Sequence, residues 1–342
     1  MDKRKILFFD IDETLLSHKT FTIPESTKNA LKKAKENGHL IFINTGRTKS
    51  LIGDDIKELE FDGYICGCGT YIEVDNKVLY NNIVNEDKYN AILESLKKYE
   101  LKAVLEGVDA IYIDENSQDD FLLSNLRKQN YPIKSYDLDN MKFNKMFIRY
   151  DDNEYIDNFC DETKDIFDYI DHGKGTRELV PKGHSKGSGI DFLVDYLNIE
   201  KENTFAFGDS NNDISMLEHV ENSIVMGNGN PDLFEKATFV TKNIDEICKQ
   251  IENKKENASE ENAKNITEDI ELIRNGDYIS KVDKYFNEFY DKQSSFMEYI
   301  GEDYLICLDD IEKINVRQEN IINDNNQLIE TLLEKDRIVP DS

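Results

Sequence analysis

Two aspartates stand at the end of the apolar run Lys5-Ile6-Leu7-Phe8-Phe9, as Asp10-Ile11-Asp12-Glu13-Thr14. In extended chain, residues two apart project to the same side, so Asp10 and Asp12 are expected side by side. One carboxylate can attack phosphorus as a nucleophile, and the other can protonate a leaving oxygen and then activate water. Two such acids repel unless a cation lies between them. Ionisable groups this close to a buried strand end point to a site rather than to a solvated turn. Asn44-Thr45-Gly46-Arg47 follows a second apolar run, Leu40–Ile43. Thr45 offers a hydroxyl and a backbone N–H to a phosphoryl oxygen, and Gly46 permits close backbone approach. Taken alone, this segment reads better as a helix cap. Lys186, in Pro181-Lys182-Gly183-His184-Ser185-Lys186-Gly187, could neutralise a transferring phosphoryl group. A lone lysine is more commonly a solvated surface charge. Gly208-Asp209-Ser210-Asn211-Asn212-Asp213 follows a third buried run, Thr204–Phe207. Asp209 suits a hard cation, with Asn212 and Asp213 supporting it, although the composition is also that of a plain turn.

The elements that must carry these residues follow from the hydrophobic pattern. The runs at 5–9, 40–43 and 204–207 read as strands covered on both faces. A helix between the first two, with Pro24 near its start and Gly38 as its stop, gives strand, helix, strand and hence a parallel sheet. Sites in such sheets lie beyond the carboxyl ends of the strands, where three of the four pieces stand. Residues 71–74 and 77–80 read as a hairpin around Asp75-Asn76. Between 84 and 178 the texture becomes mixed. Helices are expected near 86–99, 118–128 and 153–168, and strands near 102–105, 110–113 and 142–150. This reads as an α+β unit inserted into the sheet domain. The α/β texture resumes with a helix at 189–197 and short strands at 223–226 and 239–240. Residues 252–264 are polar without apolar periodicity and read as a linker. Beyond them, Ile266, Ile270 and Ile273 fall at helical spacing, as do Ile279, Val282, Phe286 and Phe289. Tyr304–Leu308 reads as a strand and 311–335 as mostly helical.

The chain has 342 residues, room for two or three domains, and 39% hydrophobic residues to fill their cores. No apolar run reaches the roughly 18 residues of a membrane span, and the N-terminal pattern does not fit a signal peptide, so a cytoplasmic protein without a membrane partner is expected. The five cysteines, with Cys66-Gly67-Cys68 as the one close pair, fit reduced thiols. A net charge of -28 argues against nucleic acid as a partner but not against a small anionic substrate.

The chain resembles the haloacid dehalogenase superfamily over about residues 4–250, and within it the Cof-type phosphatases with a large α/β cap. Phe9-Asp10-Ile11-Asp12-Glu13-Thr14-Leu15-Leu16 and Phe207-Gly208-Asp209-Ser210-Asn211-Asn212-Asp213-Ile214-Ser215-Met216-Leu217 carry the resemblance. Glu178-Leu179-Val180-Pro181-Lys182-Gly183 matches the family's return from cap to core, and Met226-Gly227-Asn228 a further family loop. The resemblance implies a Rossmann-like parallel sheet core at 1–83 and 179–250. It implies a cap or lid at 84–178. The linker at 251–264 and a mostly helical extension at 265–342 follow from the sequence pattern alone. It implies that Asp10 forms an aspartyl-phosphate and that Asp12 is the acid/base. Mg²⁺ would be held by Asp10, the backbone carbonyl of Asp12, and Asp209. Thr45 and Lys186, with Gly46, Arg47 and Asn228 near them, would hold the phosphoryl group of a small phosphate ester. Asn212 and Asp213 would position the metal shell and Lys186. A phosphotransferase or mutase would use the same intermediate. A scaffold protein with an idle core is the reading from a different class. The chain departs from its relatives at Cys68-Gly69-Thr70, where they carry Asn-Gly-Ala, and at Glu246-Ile247-Cys248, where they carry Asp-Gly-Val. The first departure bears on specificity rather than on reaction type.

The acidic, aromatic-rich extension at 265–342 reads either as a helical appendage or as a surface for a protein partner. It also resembles a fragment of the bacterial transcription-repair coupling factor. Ile279–Phe286, Ser295–Ile300, Tyr304–Asp310 and Leu333–Pro340 carry that likeness. No Gly-x4-Gly-Lys-[Ser/Thr] loop occurs in the chain, so no ATPase or DNA-binding activity is implied.

Overall fold

The computed structural model describes residues 4–16, 22–114, 131–150, 154–173, 175–242 and 244–275, together with 285, 322, 326–327 and 329–331. The chain divides into two compact units, residues 1–23 with 27–241, and residues 24–26 with 242–342.

The first unit contains two sheets. The larger has eight strands: β1 (Ile6–Phe9), β2 (Leu40–Asn44), β3 (Gly63–Cys66), β4 (Tyr71–Val74), β5 (Lys77–Asn81), β12 (Thr204–Gly208), β13 (Asn222–Val225) and β14 (Phe239–Val240). Their order is β14-β13-β12-β1-β2-β3-β4-β5. The first six run parallel, and β4 and β5 fold back as an antiparallel hairpin. The chain leaves β1 in one direction for β2 and β3, and later fills β12, β13 and β14 in the other. The switch point therefore lies between β1 and β12, where open α/β sheets bind ligands. Apolar side chains of both sheet faces are buried: Ile6, Phe8, Phe42, Ile65 and Ala206 on one, Phe9, Ile41, Ile43 and Tyr64 on the other. That two-sided burial explains the unbroken apolar runs in the sequence.

The second sheet is inserted between β5 and β12. It comprises β6 (Lys102–Glu106), β7 (Ile111–Ile113), β8 (Ile133–Ser135), β9 (Lys145–Arg149), β10 (Phe167–Gly173) and β11 (Thr176–Pro181), in the order β10-β11-β9-β6-β7-β8. Its pairs are antiparallel except β7 with β8. One face packs Leu105, Met146, Ile148 and Leu179 against the helices Tyr89–Lys98 and Ile156–Thr163. Two sequence expectations are corrected here. The helix expected to reach residue 168 ends at Thr163, and residues 167–173 are β10 instead. This edge strand exposes Asp168, Tyr169, Asp171 and His172, so it lacks the apolar signature of a strand buried on both sides. The boundary placed at 178 also falls inside β11. The helix expected at 118–128 lies outside the described residues.

In the second unit the helices Ile244–Asn253 and Glu260–Asn275 are joined by a short 3-10 turn, Lys254–Asn257. Ile247, Cys248 and Ile251 pack with Ile266, Ile270, Ile273 and Tyr285. The Tyr285 hydroxyl donates to Asp269 at 2.8 Å. The linker expected at 251–264 is thus largely ordered helix and turn, a further correction. Glu252, Glu256, Glu260, Glu261 and Lys264 are exposed while Asn262 is buried, and Ser259 Oγ accepts the Asn262 N–H at 3.2 Å, capping the second helix. The elements expected at 279–308 lie almost wholly outside the described residues, and of 311–335 only 322, 326–327 and 329–331 are described, as helix. No helix among the described residues is long and apolar enough to cross a membrane.

Candidate active site

Strand register sets the site. Phe9 lies level with Phe207 of β12 and Ile43 of β2, and the Phe9 and Phe207 rings stack at 4.6 Å. Asp10 therefore stands level with Asn44 and Gly208, the last residues of β2 and β12. The Asp10 N–H donates to the Phe207 carbonyl at 3.0 Å, carrying the pairing one step past the strand. Glu13 then takes a left-handed turn, φ 58°. Such a turn costs a non-glycine residue about 1–2 kcal/mol. Here it is held by the Glu13 N–H to the Leu16 carbonyl at 2.8 Å.

Lys186 is the first residue of the helix Lys186–Leu197, which Ser185 and Ser188 cap reciprocally. Asn44 fastens this helix start to the sheet, its Nδ2 donating to the Lys186 carbonyl at 3.0 Å. The lysine is not a solvated surface charge. Its ammonium is buried, 2.8 Å from Asp10 Oδ1 and 2.6 Å from Asp213 Oδ1. The second Asp213 oxygen accepts the backbone N–H groups of Asp209 and Ser210, each at 3.0 Å. Asp213 is thus fully engaged in holding Lys186 and the turn, while Asp10 and Asp209 face one another. Carboxylate oxygens of Asp10, Asp209 and Asp213 lie within 4.8 Å. Burial, with Asp213 adding to it, raises Asp10 to about 7 even though Lys186 pulls the other way. Burial followed by the charge of Asp213 likewise raises Asp209 to about 7. Burial opposes the charge on Lys186, but Asp10 and Asp213 outweigh it and its pKa rises. Two buried carboxylates that resist ionising together form a hard-oxygen donor set, and they fit a divalent cation.

The remaining expected residues divide. Arg47 reaches the site, but its guanidinium grips Asp12 with two hydrogen bonds, Nε to Oδ2 at 2.9 Å and Nη2 to Oδ1 at 2.5 Å. The Thr45 N–H is committed to the Ile65 carbonyl at 2.9 Å, so only its hydroxyl is left for a phosphoryl oxygen. That hydroxyl accepts the Arg47 N–H at 3.1 Å. Gly46 lies beneath the inserted sheet, where a Cβ would stand 3.3 Å from Glu178 Oε1. Asn212 turns to Ser210, accepting from its hydroxyl at 2.6 Å. Asn228 is exposed and donates to the Glu13 carbonyl at 3.2 Å, tying its loop to the turn after Asp12. Sequence reasoning missed Thr14, whose hydroxyl donates to Asp209 Oδ1 at 3.1 Å. Its place in the Asp10–Thr14 segment was the available signal. It also missed Glu106 and Lys145 of the inserted sheet, which join Glu178 in a buried ion cluster.

Comparisons with known proteins identify the family. Residues 7–251 match the family described as haloacid dehalogenase-like hydrolase. A Bacillus subtilis protein named "Putative phosphatase YkrA" is 30% identical over 262 residues, covering 71% of this chain and 93% of its own length. The Bacillus subtilis 5-amino-6-(5-phospho-D-ribitylamino)uracil phosphatase YwtE is 26% identical, covering 71% and 94% respectively. Among solved structures, the HAD subclass IIB sugar phosphatase BT4131 superposes with a TM-score of 0.60 at 30% identity, covering 69% of this chain and 93% of that one. The family match ends at 251, so the segment likened to the coupling factor stands outside it. A family match that spans most of the chain, with phosphatases among its relatives, shows that the chain belongs to the haloacid dehalogenase-like hydrolases and is a phosphatase of that family.

Proposed function

We propose that this phosphatase is Mg²⁺-dependent and hydrolyses small phosphomonoesters through a phosphoryl-Asp10 intermediate. The observation that carries the reading is the buried triad of Asp10, Lys186 and Asp213, with Asp209 facing Asp10 at the ends of neighbouring strands. The carboxylates of Asp10 and Asp209, with the Asp12 carbonyl, would hold Mg²⁺, which when bound supplies positive charge against the phosphoryl group. Asp10 forms a bond to phosphorus as the bond from phosphorus to the alcohol oxygen breaks. Asp12 gives that oxygen a proton. A water then attacks phosphorus, its proton passes to Asp12, and the bond to Asp10 breaks to release phosphate. Lys186 stays beside Asp10 throughout and stabilises the charge that develops there. The Thr45 hydroxyl donates to a phosphoryl oxygen. The inserted unit acts as a lid over the site and excludes water from it. The names of YwtE and BT4131 point to phosphate esters of ribityl compounds and sugars for those proteins, which supports small organic phosphates as the substrate class here.

The test is phosphate release from a panel of phosphomonoesters, comparing wild type with Asp10→Asn. Activity that requires Mg²⁺ and drops about a thousand-fold or more in the variant is expected, because no bond to phosphorus can then form. Release that persists in Asp10→Asn, or a wild type inert on every ester, overturns the reading.

A further inference from the structure

The acids of the site stand on two separate turns. Asp10 and Asp12 lead into the turn after β1, and Asp209 begins the turn after β12. The gap between the turns must match the width of a cation, and carboxylates facing each other across it repel and tend to open it. Two contacts beyond the sheet oppose that opening. In the first, the Thr14 hydroxyl donates to Asp209 Oδ1 at 3.1 Å. The second comes from the loop 226–230, which follows β13.

This loop is built onto the turn of Asp209. The Met226 N–H donates to the Gly208 carbonyl at 2.9 Å, and the Asn230 N–H to the Asp209 carbonyl at 2.7 Å. Asn230 Nδ2 donates to Asn211 Oδ1 at 2.7 Å, while its Oδ1 accepts the Asp232 N–H at 3.0 Å and caps the 3-10 turn Pro231–Lys236. Gly229 lies so close that a Cβ there would stand 2.5 Å from the Asp209 carbonyl oxygen and 2.9 Å from Asp209 Cα. Glycine is what permits that approach. From the middle of the loop, Asn228 reaches the other turn. Its Nδ2 lies 3.2 Å from the Glu13 carbonyl oxygen and 3.3 Å from Glu13 Oε2. An asparagine amide has two N–H donors, and these two oxygens can engage both. Glu13 is the residue held at φ 58°, so Asn228 fastens the strained point of the Asp12 turn to a loop that is itself fastened to Asp209.

We propose that Asn228 is a positioning residue of the cation site rather than a ligand of substrate phosphate: the loop 226–230 clasps the two acid-bearing turns together and sets the gap that a divalent cation must span. The inference rests on the Mg²⁺-dependent phosphatase reading, and its test separates the two. Mg²⁺ affinity is measured by calorimetry, without substrate, in wild type, Asn228→Ala and Gly229→Ala. KM for p-nitrophenyl phosphate is then measured at saturating Mg²⁺. Asn228→Ala removes both contacts to Glu13, so it is expected to weaken Mg²⁺ binding about three- to ten-fold while KM moves less than about two-fold. Gly229→Ala forces the loop off Asp209 and is expected to weaken Mg²⁺ binding further. Mg²⁺ affinity equal to wild type in Asn228→Ala overturns the proposal. So does a KM raised several-fold in that variant at saturating Mg²⁺, which would make Asn228 a phosphate ligand. Should Gly229→Ala not fold, Asn228→Ala decides alone, because its side chain is exposed and packs in no core. A wild type that binds no Mg²⁺ would instead overturn the metal reading, and this inference with it.

Discussion

At the scale of single residues, the least expected contact is the two-point grip of Arg47 on Asp12. From sequence, Arg47 reads as a phosphate ligand. In the fold, burial works against its charge, but the hydrogen bonds and the charge of Asp12 prevail and raise its pKa. A fixed Asp12 carboxylate suits a group that must meet the leaving oxygen at one angle. Lysine keeps the charge but not the planar fork, so Arg47→Lys is expected to lower kcat about 10–100-fold with KM moved less than about three-fold. Steady-state kinetics on any accepted ester separates the two roles. A rise in KM with kcat intact would return Arg47 to phosphate binding.

At the scale of elements, three parallel strands of matched register bring together residues about 200 positions apart in sequence. The turn after β12 shows how little slack there is. A Cβ on Gly208 would lie 2.6 Å from Asp213 Cγ and 2.7 Å from its Cβ. Both are the rigid near end of a side chain whose oxygens are all committed. Gly208→Ala must shift Asp213, and Lys186 with it. A loss of about 1–3 kcal/mol from overpacking is expected, with kcat down about 100-fold. Thermal melts and phosphate release report these separately, and an alanine variant with full activity would show that Asp213 does not set Lys186. These elements were legible because β1, β2 and β12 are buried on one face and at least half-buried on the other, and announce themselves as unbroken apolar runs, each followed by its polar turn. The inserted sheet was less legible. β10 is an exposed edge, β8 has only three residues, and the Glu106–Lys145–Glu178 cluster joins three strands through cross-strand register, which no local pattern encodes. The polar stretch leading into the helix Glu260–Asn275 misled for a related reason: its caps and outward charges look like a linker until Ile251 is seen packing with Ile266 and Ile270.

At the scale of the whole molecule, the acids of the site oppose the stability of the metal-free protein as they ionise. Asp10 and Asp209 both titrate near 7 in the fold, raised from 3.8. In the unfolded chain they ionise near pH 4, so between about pH 4 and about pH 7 the folded state holds more protons than the unfolded state. Their contribution to the stability of the metal-free protein therefore falls as pH rises through that window, and levels off above it. The proposed divalent cation would bind the ionised pair, so its stabilisation is expected to move the other way, small near pH 5.5 and large near pH 8. Melting the protein with and without millimolar Mg²⁺ at the two pH values measures this directly. Asp209→Asn removes one of the acids. It is expected to raise the metal-free melting temperature at about pH 8, because a neutral amide has no charge to bury, and to abolish most of the Mg²⁺ shift. An equal Mg²⁺ shift at both pH values, or one that survives Asp209→Asn, would place the cation elsewhere on this acidic protein. The buried carboxylate pair would then need a different explanation.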